Sequence, residues 1–129
     1  MAKADALAIL AIARRDLQAA MGMTDAAVFH EAVWGFQVQQ VAEKALKAWL
    51  YLLDQDPPFT HDLVSLFKLL ERRQIDITPF RELARFTDFA VQIRYDEQPE
   101  LQNLDRFAWN GKAEALVLAV QAQLRPKGL

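Results

Sequence analysis

Residues 37–50, QVQQVAEKALKAWL, place amide and charged side chains at regular intervals in an otherwise apolar run. On a helix that turns about 100° per residue, the polar positions of this region fall in one stripe roughly 120° wide, with Gln39 at its edge. The pattern predicts a helix over residues 33–53 that is buried over most of its circumference. Its polar stripe must face either water or a group that requires hydrogen bonds and charge. The stripe consists of Gln37, Gln40, Glu43, Lys44, Lys47, Tyr51 and Asp54.

The flanking sequence predicts more helices, because apolar residues recur at helical spacing and cap residues stand between the repeats. No strand alternation, internal repeat or linker is evident, so we expect an all-α, antiparallel up-and-down bundle of about five helices in a single domain, residues 1–129. The first predicted helix ends at Gly22, and the second runs from Thr24 to Asp54. The third is capped by Thr60 and ends with Arg72 and Arg73. The fourth runs from Thr78–Pro79 to near Asp96, and the last carries Leu116, Val120 and Leu124.

Two glycines leave alternatives open. Gly35 lies inside the second predicted helix and indicates either a kink or a point of close packing, since an interior glycine costs about 1 kcal/mol relative to alanine. Asn110–Gly111 is either a turn or a tolerated interruption of the last helix. The sequence therefore leaves the start of that helix undefined.

Composition narrows the classes of function. The 129 residues are 53% hydrophobic and 25% charged, with a formal net charge of −2, so no global field attracts nucleic acid or anionic membrane and any anion site must be local. The absence of cysteine excludes disulfides, thiolate catalysis and cysteine-based zinc sites, and it fits a cytoplasmic location. No run of about 18 apolar residues predicts a membrane span, and the early arginines argue against a signal peptide.

Three pairs of residues are candidates for chemistry, and each has a structural alternative. Lys44 and Lys47 share a helix face and could hold phosphate, or they could simply line a solvated stripe. His61 and Asp62 begin the third helix, where either could be a cap or a dipole partner. In the third pair, Arg94 could bind phosphate through its guanidinium group with Tyr95 as an aromatic neighbour. Alternatively, Arg94 is a cation at the C-terminus of a helix and Tyr95 is a core residue.

Several familiar sites are excluded by their missing motifs. The chain has two histidines without HExxH, and it has no GxxxxGK[ST], GxGxxG or GxSxG sequence. We therefore expect no metal site and no cofactor. The three tryptophans are expected to be packing or dimer contacts rather than base-stacking platforms.

The ordered segments RRDLQAA, FQVQQVAEKALKAWL, PPFTHDLVSLFKLL and FAVQIRYDEQP resemble the HEPN domain of higher eukaryotes and prokaryotes, over nearly the whole chain. The resemblance implies a helical bundle that commonly dimerises, binds nucleotide or RNA, and often partners a minimal nucleotidyltransferase; some members are toxins of toxin–antitoxin pairs. It favours Lys44, Lys47, His61, Arg94 and Tyr95 as nucleotide-binding residues, with Gln40, Glu43 and Asp62 as polar support.

Ribonucleases of this family carry an arginine, four to six intervening residues and then a histidine. After Arg94 the corresponding positions hold Pro99, Glu100 and Leu101, so the motif is absent. An imidazole could transfer the proton of a ribose 2′-hydroxyl, whereas proline and leucine could not. We therefore expect no catalytic residues, and the missing motif argues against ribonuclease activity without deciding whether the protein is an enzyme.

The leading hypothesis is a cytoplasmic, homodimeric, non-catalytic module that binds nucleotide or RNA phosphate and partners a minimal nucleotidyltransferase. One alternative is a ribonuclease toxin with a rearranged site that uses Arg94, Tyr95 and His61. A second alternative is a protein-interaction module without a ligand.

Overall fold

The computed structural model describes residues 2–91 and 104–124, and all regular structure within these ranges is helical. The prediction of an all-α bundle is therefore confirmed. No helix of the described ranges is both long enough and apolar enough to cross a membrane. The elements are α1 (Ala2–Met21), α2 (Glu31–Leu52), α3 (Leu63–Arg72), a 3₁₀ helix (Thr78–Thr87) that continues into the single turn of α4 (Asp88–Val91), and α5 (Arg106–Ala122).

The central element is α2, which packs against α1, α3, α5, the 3₁₀ helix and α4. This arrangement agrees with the sequence pattern, because apolar residues occupy most of the circumference of α2. Five of its fully buried core residues are Trp34, Val38, Val41, Leu46 and Leu50. A helix enclosed in this way holds the side chains of its polar stripe in fixed positions.

Aromatic side chains fill the core between α2, the 3₁₀ helix and α5. The ring of Phe86 packs edge-to-face on Trp34 and Trp109, with centroid distances of 5.5 and 5.1 Å, and stacks on Phe89 at 5.5 Å. Trp49 is also buried and lies edge-to-face on Phe80. The tryptophans therefore pack in the interior, as expected, and are not platforms for a base.

A buried amide fixes the position of α5. Asn110 Oδ1 accepts a 2.9 Å hydrogen bond from Trp34 Nε1, while Asn110 Nδ2 donates to the Ala20 carbonyl at 3.1 Å. The helix starts at Arg106, and the preceding Asp105 accepts a hydrogen bond from the Ala108 amide as its cap. Asn110–Gly111 therefore lies inside a helix and is not a turn. From there the Asn110 side chain connects α5 to α1 and α2.

The predicted start of the second helix at Thr24 is wrong, because α2 begins at Glu31. Asp25 instead starts a turn in which its carboxylate accepts from the Ala27 amide and its carbonyl accepts from the Phe29 amide. His30 then caps α2 by accepting from the Ala32 amide. At the other end, α2 stops at Leu52, and Asp54 leaves the helix with φ of 58°.

Two other boundaries also differ from the predictions. The cap of α3 is Asp62, whose carboxylate accepts from the Val64 amide, while the predicted cap Thr60 accepts from the Asp62 amide one turn earlier. The predicted start at Thr78–Pro79 is correct, but the element there is a 3₁₀ helix followed by a short α-helix. Its predicted end near Asp96 lies outside the described residues.

Gly35 is a point of close packing in the interior of α2. A Cβ at this position would lie 2.5 Å from the Cδ1 and Cε1 atoms of the Phe89 ring, far inside van der Waals contact. A Cβ at Gly111, inside α5, would meet no atom within 4 Å. The two glycines therefore have the same helix propensity cost but opposite steric surroundings.

We expect Gly35→Ala to lower the free energy of unfolding by about 1–2 kcal/mol, because overpacking against Phe89 exceeds the gain in helix propensity. The control Gly111→Ala should raise it by about 0.5–1 kcal/mol, since it gains propensity at no steric cost. Urea denaturation of both variants measures these changes. A stabilised Gly35→Ala protein would contradict the close packing.

Candidate functional site

The polar stripe of α2 is centred on a buried carboxylate. The Glu43 side chain is only 2% exposed, although it lies in the middle of the stripe that the sequence allowed to face water. Moving a carboxylate out of water is unfavourable unless donors surround it. The environment of Glu43 therefore determines what the stripe can do.

Four side chains contact the two oxygens of Glu43. Oε1 accepts from Gln39 Nε2 at 3.0 Å and lies 2.8 Å from His61 Nδ1. Oε2 accepts from Lys47 Nζ at 3.0 Å and, more weakly, from Lys44 Nζ at 3.5 Å. The carboxylate is thus paired with donors at both of its oxygens.

The helical repeat explains two of these contacts, and a third comes from Lys44, the next residue in the sequence. Gln39, Glu43 and Lys47 are spaced at intervals of four, so they lie above one another on one helix face. Lys44 also donates to Gln40 Oε1 at 2.7 Å, and Gln40 Nε2 donates to Gln39 Oε1 at 2.6 Å. Two amides therefore connect Lys44 to the oxygen of Glu43 that faces His61.

The fourth contact depends on the loop between α2 and α3. The His61 carbonyl accepts a 3.0 Å hydrogen bond from Gln39 Nε2, which fixes the backbone beside its imidazole. The next residue, Asp62, caps α3 with one carboxylate oxygen and accepts from Ser65 Oγ with the other. His61 consequently approaches Glu43 from a loop held by both helices.

These contacts control the protonation of Glu43. Burial on its own would raise the pKa of this carboxyl group, but hydrogen bonds from Gln39, His61 and Lys47, with the positive charge of Lys44, outweigh it and lower the pKa from 4.5 to about 2. Glu43 is therefore an anion at every physiological pH.

The hydrogen bond to Glu43 also determines which nitrogen of His61 carries the proton. An ionised carboxylate only accepts, so Nδ1 must hold the hydrogen and donate it. In the neutral imidazole, Nε2 is then the nitrogen with the free lone pair. The side chain is 59% exposed, so the ring has an open side.

The two lysines lie at the boundary between the core and water. The side chain of Lys47 is 13% exposed and that of Lys44 is 21% exposed. Each ammonium group has three protons, and the acceptors found for them among residues 2–91 and 104–124 are Glu43 for Lys47, and Gln40 and Glu43 for Lys44. Within this part of the chain, neither ammonium group therefore uses all three of its protons.

The structure brings together most of the predicted site. Five of the predicted residues form one hydrogen-bonded group with Gln39, and we call these six residues the Glu43 cluster. The five are Gln40, Glu43, Lys44, Lys47 and His61. Asp62 is one residue away but serves as the cap of α3. The remaining two predicted residues, Arg94 and Tyr95, lie outside the described residues.

Gln39 is the member that the sequence reasoning missed as a site residue. It was placed at the edge of the stripe, yet its side chain is completely buried and bridges Glu43 Oε1 and the His61 carbonyl. Its spacing of four from Glu43 was the available signal.

No group of three or more His, Asp or Glu side chains that could hold a metal occurs among the described residues.

We expect Glu43→Gln to lower the free energy of unfolding by about 3 kcal/mol near pH 7. The figure follows from the lowering of the Glu43 pKa from 4.5 to about 2, since each pKa unit corresponds to about 1.4 kcal/mol. The folded protein keeps Glu43 ionised where the unfolded chain takes up a proton. Its stabilisation is thus complete above about pH 4.5 and is lost as the pH falls towards 2. Denaturant unfolding between pH 7 and pH 3 should show the two proteins converging.

The matched control is Glu82→Gln, because Glu82 forms only an exposed pair with Lys112 at 3.6 Å. This variant should change stability by less than about 1 kcal/mol at any pH. A constant difference between wild type and Glu43→Gln across the range would contradict the pKa of Glu43.

The two histidines should show opposite tautomers in mildly alkaline solution, where imidazole is neutral. His30 Nδ1 accepts from the Ala32 amide and must lack a proton, whereas His61 Nδ1 donates to Glu43. Nitrogen-15 spectra of the imidazole rings should therefore report Nε2–H for His30 and Nδ1–H for His61. Glu43→Gln should change only the spectrum of His61. A His61 ring protonated at Nε2 would contradict the cluster.

Comparison with known families agrees with the resemblance. The HEPN domain model matches residues 6–121, a range that contains every member of the Glu43 cluster. Comparison with curated proteins gave no match, and comparison with solved structures gave none either. Because the matched range covers most of the 129 residues, the chain belongs to the HEPN domain family.

Proposed function

We propose that this HEPN domain is a non-catalytic module that binds a phosphate group of a nucleotide or of RNA. The observation that supports the proposal is the convergence of Lys44, Lys47 and His61 on the Glu43 carboxylate. Two ammonium groups against one carboxylate leave an excess of positive charge. In a chain of net charge −2, this is a local anion site and not a general attraction to polyanions.

The arrangement suits phosphate because its donors are already ordered. Lys44 and Lys47 are held by hydrogen bonds before any ligand arrives, so binding does not have to immobilise two long side chains. Their low exposure also weakens the screening of their charges by water. Charge-assisted hydrogen bonds from ammonium groups to phosphate oxygens are among the stronger polar contacts.

Glu43 limits what this site can accept. Its negative charge opposes a phosphate, so the ligand must bind on the outer side of the lysines, away from the carboxylate. His61, at 59% exposure, is the member of the Glu43 cluster that is most open to solvent. Arg94 and Tyr95 belong to the proposal through the family resemblance alone.

The proposal includes a partner and an assembly state. Family membership supports a cytoplasmic homodimer that works with a minimal nucleotidyltransferase. Light scattering of the purified chain measures the assembly state. Co-purification with a nucleotidyltransferase encoded beside it tests the partner.

We expect the Lys44→Gln, Lys47→Gln double variant to bind ATP and a short single-stranded RNA at least tenfold more weakly than wild type. The physical reason is the loss of two charge-assisted hydrogen bonds, each worth about 1.5–3 kcal/mol. Calorimetric titration gives the affinities, and circular dichroism establishes that the variant is folded.

The control is Lys68→Gln combined with Lys112→Gln, which removes the same charge from α3 and α5 and should leave binding unchanged. If the double variant does not fold, the single variant Lys44→Gln is measured in its place, because it keeps the 3.0 Å ion pair between Lys47 and Glu43. Undiminished affinity in a folded lysine variant, or no affinity in wild type, would refute the phosphate site.

The Glu43–His61 hydrogen bond favours ribonuclease activity as a second candidate function. An imidazole that is oriented by a carboxylate and keeps its other nitrogen exposed is the general base in many enzymes. In RNA cleavage, Nε2 would take the proton of a 2′-hydroxyl, the 2′-oxygen would attack phosphorus, and the 5′-oxygen would leave with a proton from water. RNA that stays intact with wild type, or is cleaved equally by wild type and His61→Ala, counts against this candidate.

A further inference from the structure

We propose that Phe59 is the platform on which an unpaired base of the ligand stacks, so that the Glu43 cluster and Phe59 together bind a nucleotide and not phosphate alone. This inference rests on the proposed function. The Phe59 side chain is fully exposed, and its relative exposure of 108% exceeds that of every other large apolar side chain in the described ranges. A phenyl ring left in water gives up the burial that usually stabilises it.

The loop that carries Phe59 is fixed on both sides. Before Phe59, the Gln55 amide donates to the Leu50 carbonyl at 2.9 Å, and Pro57 and Pro58 restrict the backbone. After it, the Thr60 hydroxyl accepts from the Asp62 amide. The ring is therefore presented by an ordered segment and not by a free chain end.

The same loop carries a member of the Glu43 cluster. His61 lies 2.8 Å from Glu43 Oε1, and Gln39 holds its carbonyl at 3.0 Å. Two residues of chain span at most about 7 Å, so the Cα atoms of Phe59 and His61 cannot be farther apart than this. A short segment of chain, held by hydrogen bonds, therefore joins Phe59 to the residue that contacts Glu43.

The chemistry around Phe59 favours a base over an apolar protein surface. Its neighbours along the loop are Pro58, Thr60 and His61, so the ring is not continued along the loop by other large apolar side chains. Protein interfaces need a contiguous apolar patch, whereas a single exposed aromatic ring suffices as a platform for one unpaired base. Every base has a π-face, so the ring itself selects no particular base.

Titration of wild type and variants with ATP and with inorganic tripolyphosphate separates the ring from the cations. Phe59→Ala should weaken ATP binding about tenfold and leave tripolyphosphate binding unchanged, because only ATP carries a base. Phe59→Trp should retain the wild-type affinity for ATP. The matched control is Phe107→Ala, which removes an exposed ring (75%) from α5 and should affect neither ligand.

Equal wild-type affinities for ATP and tripolyphosphate would overturn the stacking role while leaving the phosphate site intact. ATP binding that is unchanged in Phe59→Ala would overturn it as well, and loss of nucleotidyltransferase binding in the same variant would assign the ring to a protein surface. Absence of binding to both ligands would refute the proposed function itself, and the stacking role with it.

Discussion

The burial of one ionised carboxylate in the middle of α2 is the constraint on which the surroundings of the site depend. A buried ion loses solvation worth several kcal/mol, and the protein must replace it with donors. At Glu43 the donors come from Gln39 one turn earlier, from Lys47 one turn later, and from His61 in the following loop. The course of the loop, the positions of the lysines and the tautomer of the histidine therefore have a common cause.

The fold was predictable wherever the apolar repeat was long and its ends had a single cap candidate. α1 and most of α2 are examples. The errors arose where competing local hydrogen bonds decide the boundary. Ala26, Ala27 and Val28 read as helical, but Asp25 draws the backbone into a turn and His30 begins α2. At α3, Thr60 and Asp62 are both good caps, and sequence alone cannot rank them.

The site was predictable in its residues but not in its internal geometry. Helical spacing alone puts Glu43, Lys44 and Lys47 on one face. His61 is a candidate from its place at the start of the third helix, and the family resemblance favours it. The burial of Glu43 depends on how the following loop folds back over the helix, which is a tertiary property that no local pattern encodes. The same loop buries Gln39. The sequence therefore left open whether the polar stripe faces water or a polar group, and the structure shows that its centre is covered.

The contacts of the site and of the core differ in their distance along the chain. Glu43 and His61 are separated by 18 residues, whereas Asn110 is 76 residues from Trp34 and 90 from Ala20. Contacts between near neighbours close short loops and form quickly, while distant ones form late. During synthesis, every member of the Glu43 cluster leaves the ribosome at least about 50 residues before Asn110, since domains are made from the N-terminus. The Glu43 cluster can therefore assemble on the nascent chain before α5 exists to close the bundle.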